Sequence, residues 1–345
     1  MSKYIRNISM NRNKNNTNGV FSISNEKVFY KQLNDLDYAR ELEGYDILKK
    51  YYDVVDQYAS MDRNIILYEY DNNIHKNNGL LVDYFADNNR LAIDYVNILK
   101  KYKDVFDKTI KYNKKGNCRM FFEERINTRL KNNTTNKLFI ELDGKILDFN
   151  NNKVKIENRK IHQEIIKYFS SEKNTWNIIS NADPNDMNIG LDGKLFDYTA
   201  GGYVPLMCEF AVFTCYNLIQ AEYLSLKYNK KAFKEHKKIY KCINKVYVSK
   251  DRVKHIPRNI RIDAVLNYID IVIAPIIKKI NYDNWYDDFK NYLAMKILAV
   301  YDFNKMSKKD IILSITFLSI FYNEKITSLS ELKRLIKNIY GVKEW

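Results

Sequence analysis

The sequence predicts an α+β protein in which short strands and helices occupy largely separate stretches of the chain. Residues 20–33 contain two strand-forming arms, GVFSIS and KVFYKQL, on either side of a short turn. Residues 64–70, NIILYEY, are a continuous apolar run of the kind found in buried strands. Residues 208–226 are apolar on nearly all sides, which is typical of a central buried helix, and helical stripes continue to Trp345.

The stretches between these landmarks have weaker patterns. Apolar residues spaced three or four apart predict a helix at residues 36–52 and mostly helical structure at residues 79–112. Residues 138–150 predict a short hairpin, with FIEL and KILDF as arms around Asp143-Gly144. A helix is expected at residues 161–169.

Length and composition indicate a globular protein. The 345 residues can form one large domain or two lobes, and the contents of 46% hydrophobic and 29% charged residues are ordinary. No apolar run is long enough to span a bilayer, and the polar N-terminus is unlike a secretory signal. The four cysteines form no Cys-x₂-Cys pair, which argues against zinc and disulfides. We therefore expect a cytoplasmic protein with no membrane association.

The formal net charge of +15 raises the question of a polyanionic partner. Two other causes compete with it: a general bias towards Lys, Asn, Ile and Tyr, and lysines spread along solvated helix faces, as in residues 227–241. No nucleic-acid-binding motif accompanies the charge. Nucleic acid is thus not the expected partner, although a basic nucleic-acid-binding protein stays open as an alternative.

Residues 176–205 contain the densest set of chemically useful side chains. A short apolar strand at residues 176–179 leads into a loop rich in turn formers and acids, residues 181–188. An Asp192-Gly193 turn follows, then a short apolar stretch that ends at Asp197. The expected β-ribbon would connect three oxygen-bearing side chains, those of Asp183, Asn188 and Asp197.

These three side chains fit phosphoryl transfer. Mg²⁺ prefers oxygen ligands and takes one or two from the protein, a part that Asn188 and Asp197 suit. Asp183, five residues before Asn188, has the spacing of a residue that accepts or orients a hydroxyl proton. The alternative is that the Asp-Pro-Asn-Asp sequence forms only a turn.

The segment resembles the aminoglycoside phosphotransferase and choline kinase group of small-molecule kinases, which are relatives of the protein kinases. The matching residues are Asp183 and Asn188 of the Asp-x₄-Asn loop, the later Asp197, the Gly201-Gly202 turn, Pro205 and Glu209. Glu209 corresponds to a family acid that ties the ribbon to the following helix. One departure is Asn181, which stands where the family usually has His.

The resemblance also implies roles for residues nearer the N-terminus. Lys31, on the second arm of the hairpin, corresponds to the Lys that binds nucleotide phosphates, unless it is an edge Lys that faces solvent. Glu41 corresponds to the helix acid that pairs with this Lys, with Glu43 as the alternative, unless both are solvated. The segment Glu69, Tyr70 and Asp71 corresponds to the hinge whose backbone binds adenine.

The fold implied by the resemblance is two-lobed and protein-kinase-like. Residues 1–70 would form a nucleotide-binding N-lobe with a small mixed β-sheet, and residues 71–345 a larger, mainly helical C-lobe. The implied reaction moves the γ-phosphoryl group of ATP, with Mg²⁺, to a hydroxyl group of a small molecule. A nucleotide-binding but inactive pseudokinase that acts as an interaction module is the alternative.

Overall fold

The computed structural model describes residues 17–23, 26–61, 64–72, 79–88, 91, 93–118, 121–122, 124–170, 173–219 and 245–342. These residues combine many helices with three small sheets, in agreement with the predicted α+β class. The strands are β1 Thr17–Ile23, β2 Glu26–Gln32, β3 Gln57–Met61, β4 Ile65–Glu69, β5 Lys111–Lys114, β6 Ile146–Phe149, β7 Asn152–Lys155, β8 Asn174–Ser180, β9 Gly202–Pro205, β10 Lys245–Ser249 and β11 Arg252–Ile256. The first sheet has the strand order β1-β2-β4-β3, the second β5-β8-β9 and the third β10-β11-β6-β7.

The helices include three segments of π-helix that continue an adjoining α-helix. The α-helices are α1 Asp35–Leu48, α2 Leu81–Asp87, α3 Ile93–Thr109, α4 Lys131–Thr134, α5 Lys137–Leu142, α6 Asn158–Phe169, α7 Leu206–Leu218, α8 Asn259–Tyr268, α9 Ala274–Ile280, α10 Trp285–Met295, α11 Lys308–Asn323 and α12 Leu329–Tyr340. The π-segments are Arg125–Leu130, Ile269–Ile273 and Lys296–Val300. No helix among the described residues is long and apolar enough to cross a membrane.

The first sheet confirms the predicted hairpin and the strand that follows it. β1 and β2 pair antiparallel, and β2 also pairs antiparallel with β4, so that Lys31 lies opposite Ile66. Helix α1 starts directly after β2 because the Asn34 side chain accepts a hydrogen bond from the Asp37 backbone N–H and caps the helix. α1 ends at Leu48, one turn before the predicted end.

The predicted hairpin at residues 138–150 is half wrong. The first arm, FIEL, belongs to helix α5, which the Asn136 side chain caps by accepting from the Leu138 N–H. The second arm is strand β6, and it pairs with β7 across a turn in which Asn150 and Asn151 have positive φ angles. A four-residue apolar run fits a helix or a strand equally well, so the capping residue decided the outcome here.

The third sheet contains a hairpin that the helical prediction for the C-terminal part missed. β10 and β11 pair antiparallel, and β11 then pairs in parallel with β6. The signal was present in the sequence, because KVYVS and RVKHI flank the turn residues Lys250-Asp251.

Helix α7 lies at the centre of the molecule. All of its residues are buried. The structure therefore confirms the predicted central helix, residues 208–226, over residues 208–218, and residues 220–226 lie outside the described residues. α7 packs against α8 and α10, and also against β8 and β9. The loop between β8 and β9, which contains Asp183, is therefore attached directly to the core.

Candidate active site

The loop that begins after β8 is held by hydrogen bonds to its own backbone. The Asn181 side chain accepts from the Asp183 N–H at 3.3 Å, and the Asn185 side chain accepts from the Met187 N–H at 3.0 Å. The Asn185 N–H donates to the Asp183 carbonyl at 2.7 Å. Asn and Asp stabilise such turns because their short side chains reach nearby backbone groups. The Asn181 amide therefore supports the loop at the position where the resembled family has His.

Asp183 and Asn188 lie side by side in this loop. The Asn188 amide donates to the Asp183 carbonyl at 3.1 Å and approaches the Asp183 carboxylate at 3.4 Å. Asp183 is buried and Asn188 is half-buried. The amide oxygen of Asn188, which these two bonds do not use, can act as a ligand for a hard cation.

The predicted ribbon brings Asp197 next to Asn188. Ile189 and Leu195 form an antiparallel bridge, and the Phe196 N–H donates to the Asn188 carbonyl at 2.9 Å. Asp197 is the next residue and has a φ of 60°, a left-handed conformation that costs energy for a residue other than glycine. The loop Asp183–Asn188 and Asp197 are thus presented by one short ribbon, as predicted.

Lys31 reaches both a helix acid and the ribbon. Its Nζ lies 2.6 Å from Glu41 Oε1 and 3.3 Å from Asp197 Oδ1. Burial by itself would lower the pKa of Lys31, but the carboxylates of Glu41 and Asp197 outweigh it and raise the pKa above its ordinary value. Lys31 is therefore a fixed cation beside Asp197, and the alternative of an edge Lys that faces solvent is wrong.

Glu41 is the partner of Lys31, and the alternative, Glu43, is exposed. Glu41 is 0% exposed and receives two further hydrogen bonds, from the Tyr68 hydroxyl at 3.0 Å and the Thr199 hydroxyl at 2.7 Å. A buried carboxylate is tolerated only when its oxygens are satisfied in this way. Thr199 also lies 3.2 Å from Asp197 Oδ1, so the ion pair and the ribbon share one network.

The three predicted hinge residues lie at the end of β4, with Glu69 as its last residue. Glu69 pairs with Val28, three positions along β2 from Lys31, and its N–H donates to the Asp56 carbonyl at 2.8 Å. The Asp71 carboxylate is buried and lies 2.9 Å from Lys194 Nζ. Lys194 belongs to the ribbon, so this ion pair connects the predicted hinge to the segment that carries Asp197.

Asp186 and Arg261 form a buried ion pair that the sequence did not reveal. Arg261 Nη2 lies 2.5 Å from Asp186 Oδ2, and both side chains are buried. The Tyr216 hydroxyl donates to the other Asp186 oxygen at 2.5 Å, and Arg261 also donates to the Asn217 side chain at 3.2 Å. This cluster joins the Asp183 loop to α7 and α8. Its partners are distant in sequence, so no local pattern predicts it.

Glu209 is a buried acid directly behind the loop. Neither of its oxygens has a hydrogen-bond donor of ordinary geometry among the described residues. Burial raises the pKa of Glu209 to about 8; the Ser180 hydroxyl opposes this rise and the Asp183 charge adds to it. The carboxyl group is thus mainly protonated at neutral pH, and its burial in α7 fits the structural role that the resemblance implies.

Asn188 and Asp197 are oxygen donors of the kind that Mg²⁺ accepts. Within the described part of the chain, no three or more His, Cys, Asp or Glu residues group closely enough to hold a metal. Asn188 and Asp197 provide an amide oxygen and a carboxylate on adjacent positions of the ribbon. Mg²⁺ is commonly held by one or two such groups together with substrate phosphates.

Comparisons with known proteins leave the family open, because no protein-family model matches the chain and no curated protein matches it significantly.

Proposed function

We propose that this protein is an ATP-dependent phosphotransferase that moves the γ-phosphoryl group to a hydroxyl group of a small molecule. The observation that carries the proposal is the position of Lys31, which lies within ion-pair distance of both Glu41 and Asp197. Asp197, which is 166 positions from Lys31 in the sequence, and Glu41 both contact this one cation next to the loop that carries Asp183 and Asn188. The corresponding fold would be two-lobed and kinase-like, with residues 1–70 as the nucleotide-binding lobe and residues 71–345 as the larger lobe.

Each of these side chains has a part in such a reaction. Lys31 would bind nucleotide phosphates, held in place by Glu41. Asn188 and Asp197 would hold Mg²⁺, which neutralises the charge that develops on the phosphates. The backbone of Glu69, Tyr70 and Asp71 would bind the adenine. Fixed charges of this kind stabilise a transition state because they need no reorganisation during the reaction.

Asp183 would act on the acceptor. Its carboxylate would orient the acceptor hydroxyl and take its proton as the oxygen forms a bond to the γ-phosphorus. The bond between that phosphorus and the bridging oxygen breaks, ADP leaves, and the proton passes from Asp183 to solvent. The Asn188 amide, which contacts Asp183 at 3.1 and 3.4 Å, would hold the carboxylate in place.

Nucleotide binding is the first test of the proposal. Mg-ATP should raise the melting temperature in a concentration-dependent manner, because a ligand that binds only the folded state stabilises it. EDTA should remove most of the shift if Asn188 and Asp197 hold Mg²⁺. A shift that is the same with and without metal would contradict the assignment of these two residues.

Catalysis is tested with Asp183→Asn and a panel of hydroxylated acceptors that includes aminoglycosides and choline. The variant keeps the shape of the turn but loses the carboxylate, so ADP formation should fall on the order of 10²–10⁴-fold while Mg-ATP binding is retained. Asp192→Asn is the matched control, since Asp192 is an exposed acid of the same ribbon that bonds only to neighbouring groups. A wild-type protein that binds Mg-ATP but modifies no acceptor would favour the pseudokinase alternative.

A further inference from the structure

The third sheet has one face against the core and one face towards solvent. Val246, Val253 and His255 are buried, and so are Leu147, Phe149 and Val154 of the paired strands. Because side chains alternate along a strand, the residues between them point outwards. We call this surface the outer face; it consists of Lys245, Tyr247, Ser249, Arg252, Lys254, Ile256, Ile146, Asp148, Lys153 and Lys155.

Positive charge dominates the outer face, with five cations against the single carboxylate of Asp148. Lys153 lies 3.7 Å from Asp148, and Lys155 lies 3.1 Å from Glu157. The other three cations, Lys245, Arg252 and Lys254, form no ion pair with any residue that the structure describes. Arg252 and Lys254 are two positions apart on β11, so they are separated by about 7 Å.

Large apolar side chains are exposed among these cations. Ile146 is 60% exposed, Tyr247 57% and Ile256 42%, and they are three of the twelve exposed large hydrophobic residues in the described part of the chain. Tyr247 lies directly opposite Lys254 in the β10–β11 register. The solvent face of an antiparallel sheet is normally polar, and the exposed Tyr247 ring beside Lys254 is a surface on which a planar group can stack.

We infer that the outer face binds single-stranded nucleic acid, as a function beyond the proposed phosphotransferase reaction. Lys245, Arg252 and Lys254 would contact successive phosphates, and a base would stack on the Tyr247 ring. Positive charge combined with an aromatic stacking surface is how proteins bind single strands without sequence preference. The lysines that the sequence analysis placed on helix faces, in residues 227–241, lie outside the described residues. Lys245, Arg252 and Lys254 are different residues, and they lie together on one sheet.

A single strand fits this surface better than an anionic membrane does. Asp148 pairs with Arg252 in the parallel register, which places Ile146 and Ile256 at opposite ends of the sheet, about 20 Å apart. A membrane-binding surface needs apolar side chains that insert together. Here the exposed apolar side chains are dispersed, and cations lie between them.

The test is a titration of the full chain against a short fluorescein-labelled DNA single strand of mixed sequence, followed by anisotropy over a series of KCl concentrations. Binding should weaken with salt with a slope of roughly −0.7 per phosphate contacted, hence roughly −2 to −3.5 for three to five cations. The double variant Arg252→Gln/Lys254→Gln should flatten the slope by about 1.4. Tyr247→Ser should weaken binding about tenfold, the contribution of one stacked base.

The matched control is the double variant Lys111→Gln/Lys114→Gln. It removes the same charge from two exposed positions of a strand, β5, that lies in another sheet. This control should keep most of the affinity and the slope. Equal losses in the two double variants would show that net charge alone is responsible and would overturn the inference.

Two further measurements make the outcome decisive. The first is binding to phosphatidylserine vesicles. If the wild type binds the vesicles but not the oligonucleotide, and Arg252→Gln/Lys254→Gln weakens vesicle binding more than the control does, the surface binds membranes and the proposal is rejected. The ligand-free melting temperature and the circular dichroism spectrum of each variant should equal those of wild type, which shows that the variants are folded whether or not the protein binds Mg-ATP. Because Lys31 and Asp197 are untouched, failure of the nucleic-acid inference would leave the proposed phosphotransferase function unaffected.

Discussion

Asp197 combines a proposed metal ligand with an unfavourable backbone conformation. Its φ of 60° lies in the left-handed region, where Asn and Asp are tolerated better than most residues. Asp197 Oδ1 contacts both Lys31 at 3.3 Å and Thr199 at 3.2 Å. The surrounding contacts therefore hold the carboxylate in one place, at a position where strain is more often functional than accidental.

Asp197→Asn should separate the chemistry of this residue from its backbone role. Asn accepts the same conformation, so the variant should unfold at nearly the wild-type temperature in the absence of ligand. It loses the anionic metal ligand. The apparent affinity for Mg-ATP, read from the Mg-dependent part of the melting shift, should therefore fall at least tenfold. A full Mg-dependent shift in this variant would remove Asp197 from the metal site.

Asp186 lies three residues from Asp183 but serves stability. Asp186→Asn should lower the free energy of unfolding by about 3–5 kcal/mol, because it leaves the Arg261 charge buried without its partner. Urea denaturation measures the loss, with Asp192→Asn as the exposed control that should change little. A loss below about 1 kcal/mol would mean that water or another group compensates Arg261.

At the scale of elements, Gly44 determines how closely α1 approaches the segment after Asp197. A Cβ at Gly44 would lie 2.0 Å from the Tyr198 carbonyl oxygen. α1 also carries Glu41, so the close approach that glycine permits brings Glu41 within reach of Lys31 and Thr199. The position of the helix and the charge network are thus linked.

Gly44→Ala should destabilise the protein by about 1–3 kcal/mol, although Ala is normally the better helix former by about 1 kcal/mol. A loss of stability, where helix propensity alone predicts a gain, would identify the steric contact with the Tyr198 carbonyl oxygen as the cause. Glu43→Ala, at the exposed neighbouring position, is the control and should be nearly neutral. The Gly44 variant should also have a smaller Mg-ATP melting shift, since Glu41 moves with the helix. If the stability of the variant is unchanged, α1 can move away from Tyr198 without a cost in free energy, and the prediction is wrong.

The sequence predicted those elements and site residues whose cause is local. The β1–β2 hairpin, α1 and the ribbon around Asp192-Gly193 follow from alternation, helical periodicity and turn residues. The Lys31–Glu41 pair was expected only from the resemblance to the small-molecule kinases, and the structure shows the contact. The contacts of Asp186 with Arg261 could not be predicted, because they depend on how α7 and α8 pack in three dimensions. The hairpin β10–β11 was missed because the helical pattern around it dominated the interpretation.

At the scale of the whole molecule, two buried groups oppose each other in their response to pH. Burial raises the pKa of Glu209 to about 8, and burial lowers the pKa of His255 to about 3. Glu209 binds its proton more tightly in the folded state, so its contribution to stability is lost as pH rises from about 4.5 to 8. His255 is kept neutral by folding, so its contribution is lost as pH falls from about 6.5 to 3.

The free energy of unfolding should therefore be highest between about pH 4.5 and 6.5 and should fall on the alkaline side by about 2 kcal/mol up to pH 8. Glu209→Gln has nearly the same shape and no charge, so it should abolish the alkaline decline. The rise of stability with pH that comes from His255 should then continue up to about pH 6.5, because the opposing Glu209 contribution is gone. Urea denaturation at pH 6.5 and pH 8 measures this. An alkaline decline that persists in Glu209→Gln would assign it to another group.

The parallel pairing of β11 with β6 has a consequence for the newly made chain. Asp148 and Arg252 are neighbours in the sheet but are separated by about a hundred residues of sequence, a contact that forms slowly because a long loop must close. During synthesis, β6 and β7 can pair as soon as they leave the ribosome. The other edge of β6 stays unpaired until β11 has been translated. Unpaired strand edges can pair with other chains, so we expect this edge of β6 to be open to aggregation until β11 has been made.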